Sequence, residues 1–425
     1  MSNSLPSITL AALLAATAAC SGESAKADAE PAAATAEPAK PGVEPARERE
    51  PCDPRLTRAA LDRSLELGIG YTLRAQADSG KFDYLYDWRT RASDASDSQV
   101  RQAGSAWGLA LVYFDGRDPD VRRALDKSLD FFAAHAVVTA DGARYLRYPG
   151  ESHGKTGAIA LLTLAHIEYL RAHADERDEP GVGKRREHLG QLLAFLMQLR
   201  RDDGLFYGGY GLSDGAPRGR PSPYSDGEAM LALAKAARYL GFDELREAAV
   251  ASAAKGLRHW YHEAVEFNPD SPMTKGFSQW GSMAFFELAG SGWPGTEIFA
   301  EPVVALADWQ IDVHKTLERT RNTGYAYEGI IHAWEIARQR GDRAKMEKFR
   351  CTTEQAMAKL TSWQVGHPLM NDYIRSAYDG EDRKALGGVQ NHCCESTLRI
   401  DTTQHQMHAV ILARKYLYPS GGPAR

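Results

Sequence analysis

Asp97-Ser98-Gln99-Val100-Arg101-Gln102-Ala103-Gly104-Ser105-Ala106-Trp107-Gly108-Leu109-Ala110-Leu111-Val112-Tyr113 is the stretch that decides the fold. It begins as a polar loop and runs directly into a helix of small and apolar residues. A helix without a broad polar face is buried on all sides. The same transition recurs at His153–Leu170, Tyr224–Leu240, Phe277–Ala289, Tyr325–Arg338 and Arg399–Leu417. Thr156–Ala165 and Ala229–Ala236 are again apolar almost all round.

Between these segments lie more charged, amphipathic stretches: Leu56–Ala75, Pro119–Ala136, Gly183–Arg200, Phe242–His262, Thr296–Leu317 and Arg343–Trp363. In Pro119–Ala136, Val121, Leu125, Leu129 and Phe132 share one face, with Arg, Lys and Asp elsewhere. No sustained period-2 run of Val, Ile and Thr marks a strand. The pattern predicts an all-α fold, a closed (α/α)6 toroid of six helical hairpins over residues 52–420. A long superhelical array is the alternative. The ring is favoured because polar, aromatic-rich loops always precede a buried helix, and so gather at one end.

The composition of the 425-residue chain, 43% hydrophobic and 25% charged, suits a globular core. With a net charge of −5 and no Lys/Arg-rich run, nothing points to nucleic acid. No apolar run reaches the roughly 20 residues a membrane-spanning helix needs. Leu5–Ala19 is small and apolar, and Thr17-Ala18-Ala19-Cys20 precedes a polar stretch. This resembles a bacterial lipoprotein signal, which makes residues 1–20 a signal peptide and Cys20 the lipidated residue. An apolar tail without that role is the alternative. Residues 21–51, rich in Ala, Pro, Glu and Lys, read as a disordered linker. The expected location is then the bacterial cell envelope, periplasmic or at the surface, with membrane contact only through the lipid. Export permits disulfides among Cys52, Cys351, Cys393 and Cys394. Cys351 falls on the last surface helix and Cys393-Cys394 on the loop after it, so a bridge between them is expected.

Helix N-termini carry partial positive charge, and six at one mouth favour an anionic ligand. Arg89, Arg91, Arg101, Lys155, Lys275 and Arg399 on the loops reinforce this expectation. Asp226 and Glu228 open the third buried helix and suit a general acid/base pair. Ser225 to Glu228 also fits an S-x-x-E capping box. Asp401 and His405 lie four apart on the last buried helix, with His408 one turn further and Arg399 just before. A carboxylate beside an imidazole can orient a catalytic base, while Asp401 can equally cap the helix. Asn391-His392 precedes this segment. Trp88, Tyr224, Trp280, Tyr325 and Tyr327 offer rings for stacking on sugar faces or for the core. Arg101-Gln102, His153, Gln279 and Glu328 are polar groups beside apolar helices, which a cavity ligand can satisfy.

The six-hairpin organisation resembles the toroids of glycoside hydrolases acting on unsaturated uronides, of some polysaccharide lyases and of sugar epimerases. The resemblance covers nearly the whole folded region and lies in pattern rather than in one motif. It implies an exported carbohydrate-active enzyme that cleaves a glycosidic bond of an acidic oligosaccharide. In hydrolysis, Asp226 or Asp401 is the acid/base, with Glu328 or Glu228 as second carboxylate. In β-elimination, Asn-His pairs of toroid lyases suggest His392, or else His405, moving protons with Tyr224, while Arg101 or Arg399 neutralises a uronate. Sugar epimerisation, and a surface-tethered ring that binds glycan or protein without catalysis, are the rival readings. Lanthionine cyclases are similar toroids with zinc on Cys and His, but His392-Cys393-Cys394 does not follow their Cys-His order. No metal and no cofactor is expected, and the nucleotide-binding glycine motifs are absent.

Overall fold

The computed structural model describes residues 52–420. The expected signal peptide, the Cys20 lipid site and the linker lie outside the described residues. Twelve main helices alternate between a surface and an interior position. The surface set is α1 (Arg58–Ala75), α3 (Pro119–Ala134), α5 (Pro180–Gln198), α7 (Arg246–Gly256), α9 (Ala300–Asp308) and α11 (Arg343–Thr361). The interior set is α2 (Gln99–Gly116), α4 (Thr156–Ala172), α6 (Pro223–Leu240), α8 (Pro272–Ala289), α10 (Gly324–Arg340) and α12 (Ile400–Tyr416).

The interior helices contact one another in the order α2, α4, α6, α8, α10, α12, and α12 returns to α2. That last contact closes the ring and excludes an open superhelical array. The molecule is the (α/α)6 toroid that the alternating pattern predicts. Closure needs backbones close together: a Cβ on Gly108 of α2 would meet the Gln404 side chain of α12 at 2.4 Å. Each surface helix packs on the interior helix before it, and α1 packs on α12. The interior helices are lined almost entirely by buried residues, as their lack of a polar face requires.

Ser271 caps α8 by accepting from Met273 N at 3.2 Å, with Pro272 at the first position, so this helix starts before Phe277. Eight short strands, each of two or three residues, stitch the loops together. The most consequential pairs 85–87 with 397–399, which ties the loop before α2 to the start of α12. α7 and α9 run on into π-helical turns at Leu257–His262 and Trp309–Val313.

The expected bridge from Cys351 to the Cys393-Cys394 pair is absent. Cys351 is bonded to Cys52, with Cα atoms 5.1 Å apart, and Cys393 and Cys394 are free. Ring closure packs α1 on α12, and Cys52, just before α1, donates its N–H to Glu354 Oε2 of α11 at 2.7 Å, so the two distant cysteines meet.

Candidate functional site

The interior helices all run in one direction, so their N-termini share one end of the ring. Between the openings of α2, α4 and α6 lies a cavity of about 560 Å³. Arg101, His153, Lys155, Tyr224 and Glu228 line it, together with Arg218, Arg220 and a glycine-rich wall at 208–209. Arg218 and Arg220 escaped the sequence reading. The signal was available, since both precede the opening of a buried helix, as the other basic residues do.

Glu228 is 4% exposed, and its carboxyl receives no hydrogen bond from any described residue. Burial pushes its pKa up to about 7, against the pull of Arg101 and with help from Asp226. A Cβ on Gly157 would meet Glu228 Oε2 at 2.4 Å, so the glycine makes room for the carboxyl. The expected capping box does not form. Pro223 occupies the first helical position and places Ser222 at the N-cap, so Ser225 lies inside the first turn.

Asp226, named with Glu228 as an acid/base candidate, does not line the cavity. It is fully buried, accepting from Phe206 N at 2.9 Å and from Trp260 Nε1 at 2.8 Å. It joins α6 to the preceding loop and to the π-helical turn after α7. Burial raises its pKa to about 7 despite those two donors. Both oxygens are committed to the scaffold.

Helices α8, α10 and α12 bring a second group together. The Glu328 carboxyl is fully buried. His405 Nδ1 lies 2.8 Å from Oε1, and Gln279 Nε2 donates to Oε2 at 2.8 Å. His408 Nδ1 lies 3.1 Å from Oε2. Burial alone would raise this carboxyl, but the charges of His408 and His405 outweigh it and hold the pKa at about 2. Trp107 meets the His408 ring edge-on at 5.1 Å and leans on Trp280 at 5.3 Å. Trp280 and Tyr325 face the His405 ring at 6.4 and 6.3 Å. Lys275 lies over the Tyr325 ring at 4.9 Å and reaches Tyr224 Oη at 3.3 Å.

Arg101 belongs to the cavity and also pairs with Asp401 Oδ2 at 3.2 Å. Arg399 grips Asp401 with two hydrogen bonds, 2.9 and 2.6 Å, and donates to Asn391 Oδ1 at 3.3 Å. Burial opposes ionisation of Asp401, but the two guanidiniums prevail and lower its pKa. Arg399 holds the N-cap position of α12, so Asp401 is not the cap. His405 turns to Glu328, and makes no hydrogen bond to Asp401.

The remaining candidates spread out. His153 lies on the rim beside Ser152 and Lys155. Trp88 packs edge-on against Tyr373 and Tyr378 at 6.0 and 6.4 Å rather than lining the cavity. Tyr327 is a fully buried core residue. His392 contacts Cys393 Sγ at 3.7 Å and Cys394 N at 3.3 Å, and has no described contact with the Glu328 group. Among the described residues, His392, Cys393 and Cys394 hold donor atoms close enough to share a metal ion.

No protein-family model matches the chain, and no curated protein matches it in sequence. Solved structures do match. A sugar epimerase from a ruminal bacterium superposes with a TM-score of 0.61 at 11% identity, over 84% of this chain and 99% of that one. Cellobiose 2-epimerase from Bacillus thermoamylovorans gives 0.60 at 8% identity, over 84% and 99%. An unsaturated glucuronyl hydrolase specific for heparin gives 0.57 at 10% identity, over 84% and 98%. At these identities the likeness is one of fold.

Proposed function

We propose that this toroid is a carbohydrate-active enzyme whose ligand is an anionic sugar and whose reaction is β-elimination of a uronide. The observation that carries the reading is the buried Glu328–His405 pair. A carboxylate held at about pKa 2 stays ionised at any working pH. It orients the imidazole through Nδ1 and stabilises the imidazolium, leaving Nε2 for a substrate proton. Removing a proton from the carbon beside a carboxylate also needs a cation on that carboxylate, and Arg101 with Arg399 supplies one. As the carbon–carbon double bond forms and the glycosidic C–O bond breaks, the leaving oxygen needs a proton. Glu228, protonated up to about pH 7, is the donor in this scheme. The basic lining from Lys155, Arg218 and Arg220 supports an anionic ligand. The names of the structural neighbours, two sugar epimerases and a glucuronyl hydrolase, support a saccharide. An exported, lipid-anchored location is part of the proposal, supported by the Cys52–Cys351 bridge and the sequence before Cys20.

Hydrolysis is the second reading. It is favoured by two carboxyls with pKa values driven apart around Arg101, a raised Glu228 and a lowered Asp401. One experiment separates the readings: acidic and neutral glycans are incubated with the protein in deuterated water. Unsaturated-uronide absorbance together with new reducing ends supports elimination. Reducing ends without absorbance support hydrolysis, and deuterium at a ring carbon without cleavage supports epimerisation. Binding without any turnover overturns the enzymatic proposal.

A further inference from the structure

Among the described residues, Cys393 and Cys394 are the two cysteines left free by the Cys52–Cys351 bridge, and they are adjacent in the chain. Their sulfurs lie 2.8 Å apart, nearer to each other than Cys393 Sγ is to His392 Nδ1 at 3.7 Å. Cys394 is exposed and Cys393 half-buried. A chain that carries one disulfide is of the kind that meets oxidising conditions, and neither free thiol has another cysteine available within the described residues.

The loop carrying the pair is stitched on both sides. Cys393 N donates to Thr320 O at 3.1 Å, Asn322 N donates to Asn391 O at 2.9 Å, and Asn391 N donates to Thr397 O at 3.2 Å. Residues 320–322 lead into α10, which bears Glu328, while residues 397–399 lead into α12, which bears His405. The cysteine pair therefore sits on the strap between the openings of the two helices whose side chains meet at 2.8 Å.

We propose that Cys393 and Cys394 form a reversible vicinal disulfide. The oxidant is another disulfide, small-molecule or protein. The exposed Cys394 thiolate attacks one of its sulfurs, a mixed disulfide forms, and the first thiol leaves. The Cys393 thiolate then attacks Cys394 Sγ, the new S–S bond closes, and the second thiol leaves. Two cysteine thiols are oxidised and one external disulfide is reduced to two thiols. Adjacent Cα atoms are about 3.8 Å apart across a trans peptide, less than the roughly 4.4–6.8 Å that disulfides prefer. The ring closed by such a bond is strained, and strained, accessible disulfides are the readily reduced ones. The Cys52–Cys351 bridge has no such constraint, so graded reduction should open the vicinal bond first.

The test equilibrates the purified full chain with oxidised or reduced glutathione, quenches with acid, blocks free thiols with iodoacetamide and weighs the peptide containing residues 393 and 394. The expected result after oxidation is an unlabelled peptide lighter by two hydrogens. Mild reductant should convert it to a doubly labelled one while Cys52–Cys351 remains bonded. Double labelling after oxidation overturns the proposal, as does a glutathione adduct or a disulfide-linked dimer in place of the internal bond. In Cys394→Ser, Cys393 should be labelled or carry glutathione after oxidation, and an unmodified, unlabelled Cys393 would also overturn it.

Discussion

Glu168 and Glu228 sit on neighbouring interior helices and are both buried, at 0% and 4% exposure, yet they meet different company. Glu168, near the C-terminal end of α4, is paired with Lys235 and accepts from Arg171 Nη1 at 2.6 Å. Beside it, Glu287 meets Arg238 Nη1 and Tyr239 Oη, each at 2.6 Å. Glu228, at the opposite end of the ring, has a cavity in front of it and no hydrogen-bond donor among the described residues. One end neutralises its buried charges internally, as a scaffold must. The other leaves a carboxyl protonated by burial and a histidine pinned by Glu328. The lesson is that burial alone does not mark a site: Glu168 is closed off by its own cations, whereas Glu228 faces space without one.

The largest effect should come from His405→Gln, which removes the proposed proton acceptor but can still donate to Glu328, and should lower kcat by roughly 10²–10⁴-fold with little change in melting temperature. A comparable loss of melting temperature with unaltered kcat would make the mouth a second scaffold and erase the contrast. At the far end, Glu168→Ala should do the reverse. Lys235 would keep only Glu287, at 3.7 Å, so the loss of stability in denaturant titration should be clear but below the about 3–5 kcal/mol of a fully stranded buried charge, while activity per folded molecule stays near wild type.

Two further substitutions sharpen the mouth itself. As a proton donor titrating near 7, Glu228 predicts that kcat/KM falls as pH rises through about 7, and Glu228→Gln should remove that limb from the profile. The stability sign follows from the same shift. The folded carboxyl holds its proton at pH values where the unfolded one, near 4.3, has lost it. Stability should therefore decline as pH rises from about 4.5 to 7, by on the order of 2–3 kcal/mol for this group, and level off above. Melting temperature across that window should be flatter in Glu228→Gln. Asp226→Ala should leave the pH–rate limb in place and cost about 1–3 kcal/mol for each buried donor it orphans, Phe206 N and Trp260 Nε1. The smallest effect belongs to Arg63→Ala, which breaks an exposed pair with Glu66 and should change stability by about 0–1 kcal/mol in the same titration.

The ring was legible because the segments around Ala103–Ala110, Thr156–Ala165 and Ala229–Ala236 lack a polar face, and such helices have only one place to go. The direction of individual side chains was not legible. Asp401 and His405 share a helix spacing that suggests a pair, but in the ring the aspartate meets Arg399 and Arg101 while the histidine meets Glu328 from a different helix. Glu228 looked like a helix cap until Pro223 set the helix start at Ser222. The cysteine pairing failed for a related reason. Nearness along the chain predicted Cys351 with Cys393 or Cys394, whereas a closed ring joins residues that are 299 positions apart.

That bridge has a further consequence for anyone handling the molecule. A protease that nicks the loops between positions 52 and 351 once, at any point, makes two polypeptides that remain one covalent body. On a gel without reductant the nicked protein should migrate as a single species, and only added thiol should resolve the fragments.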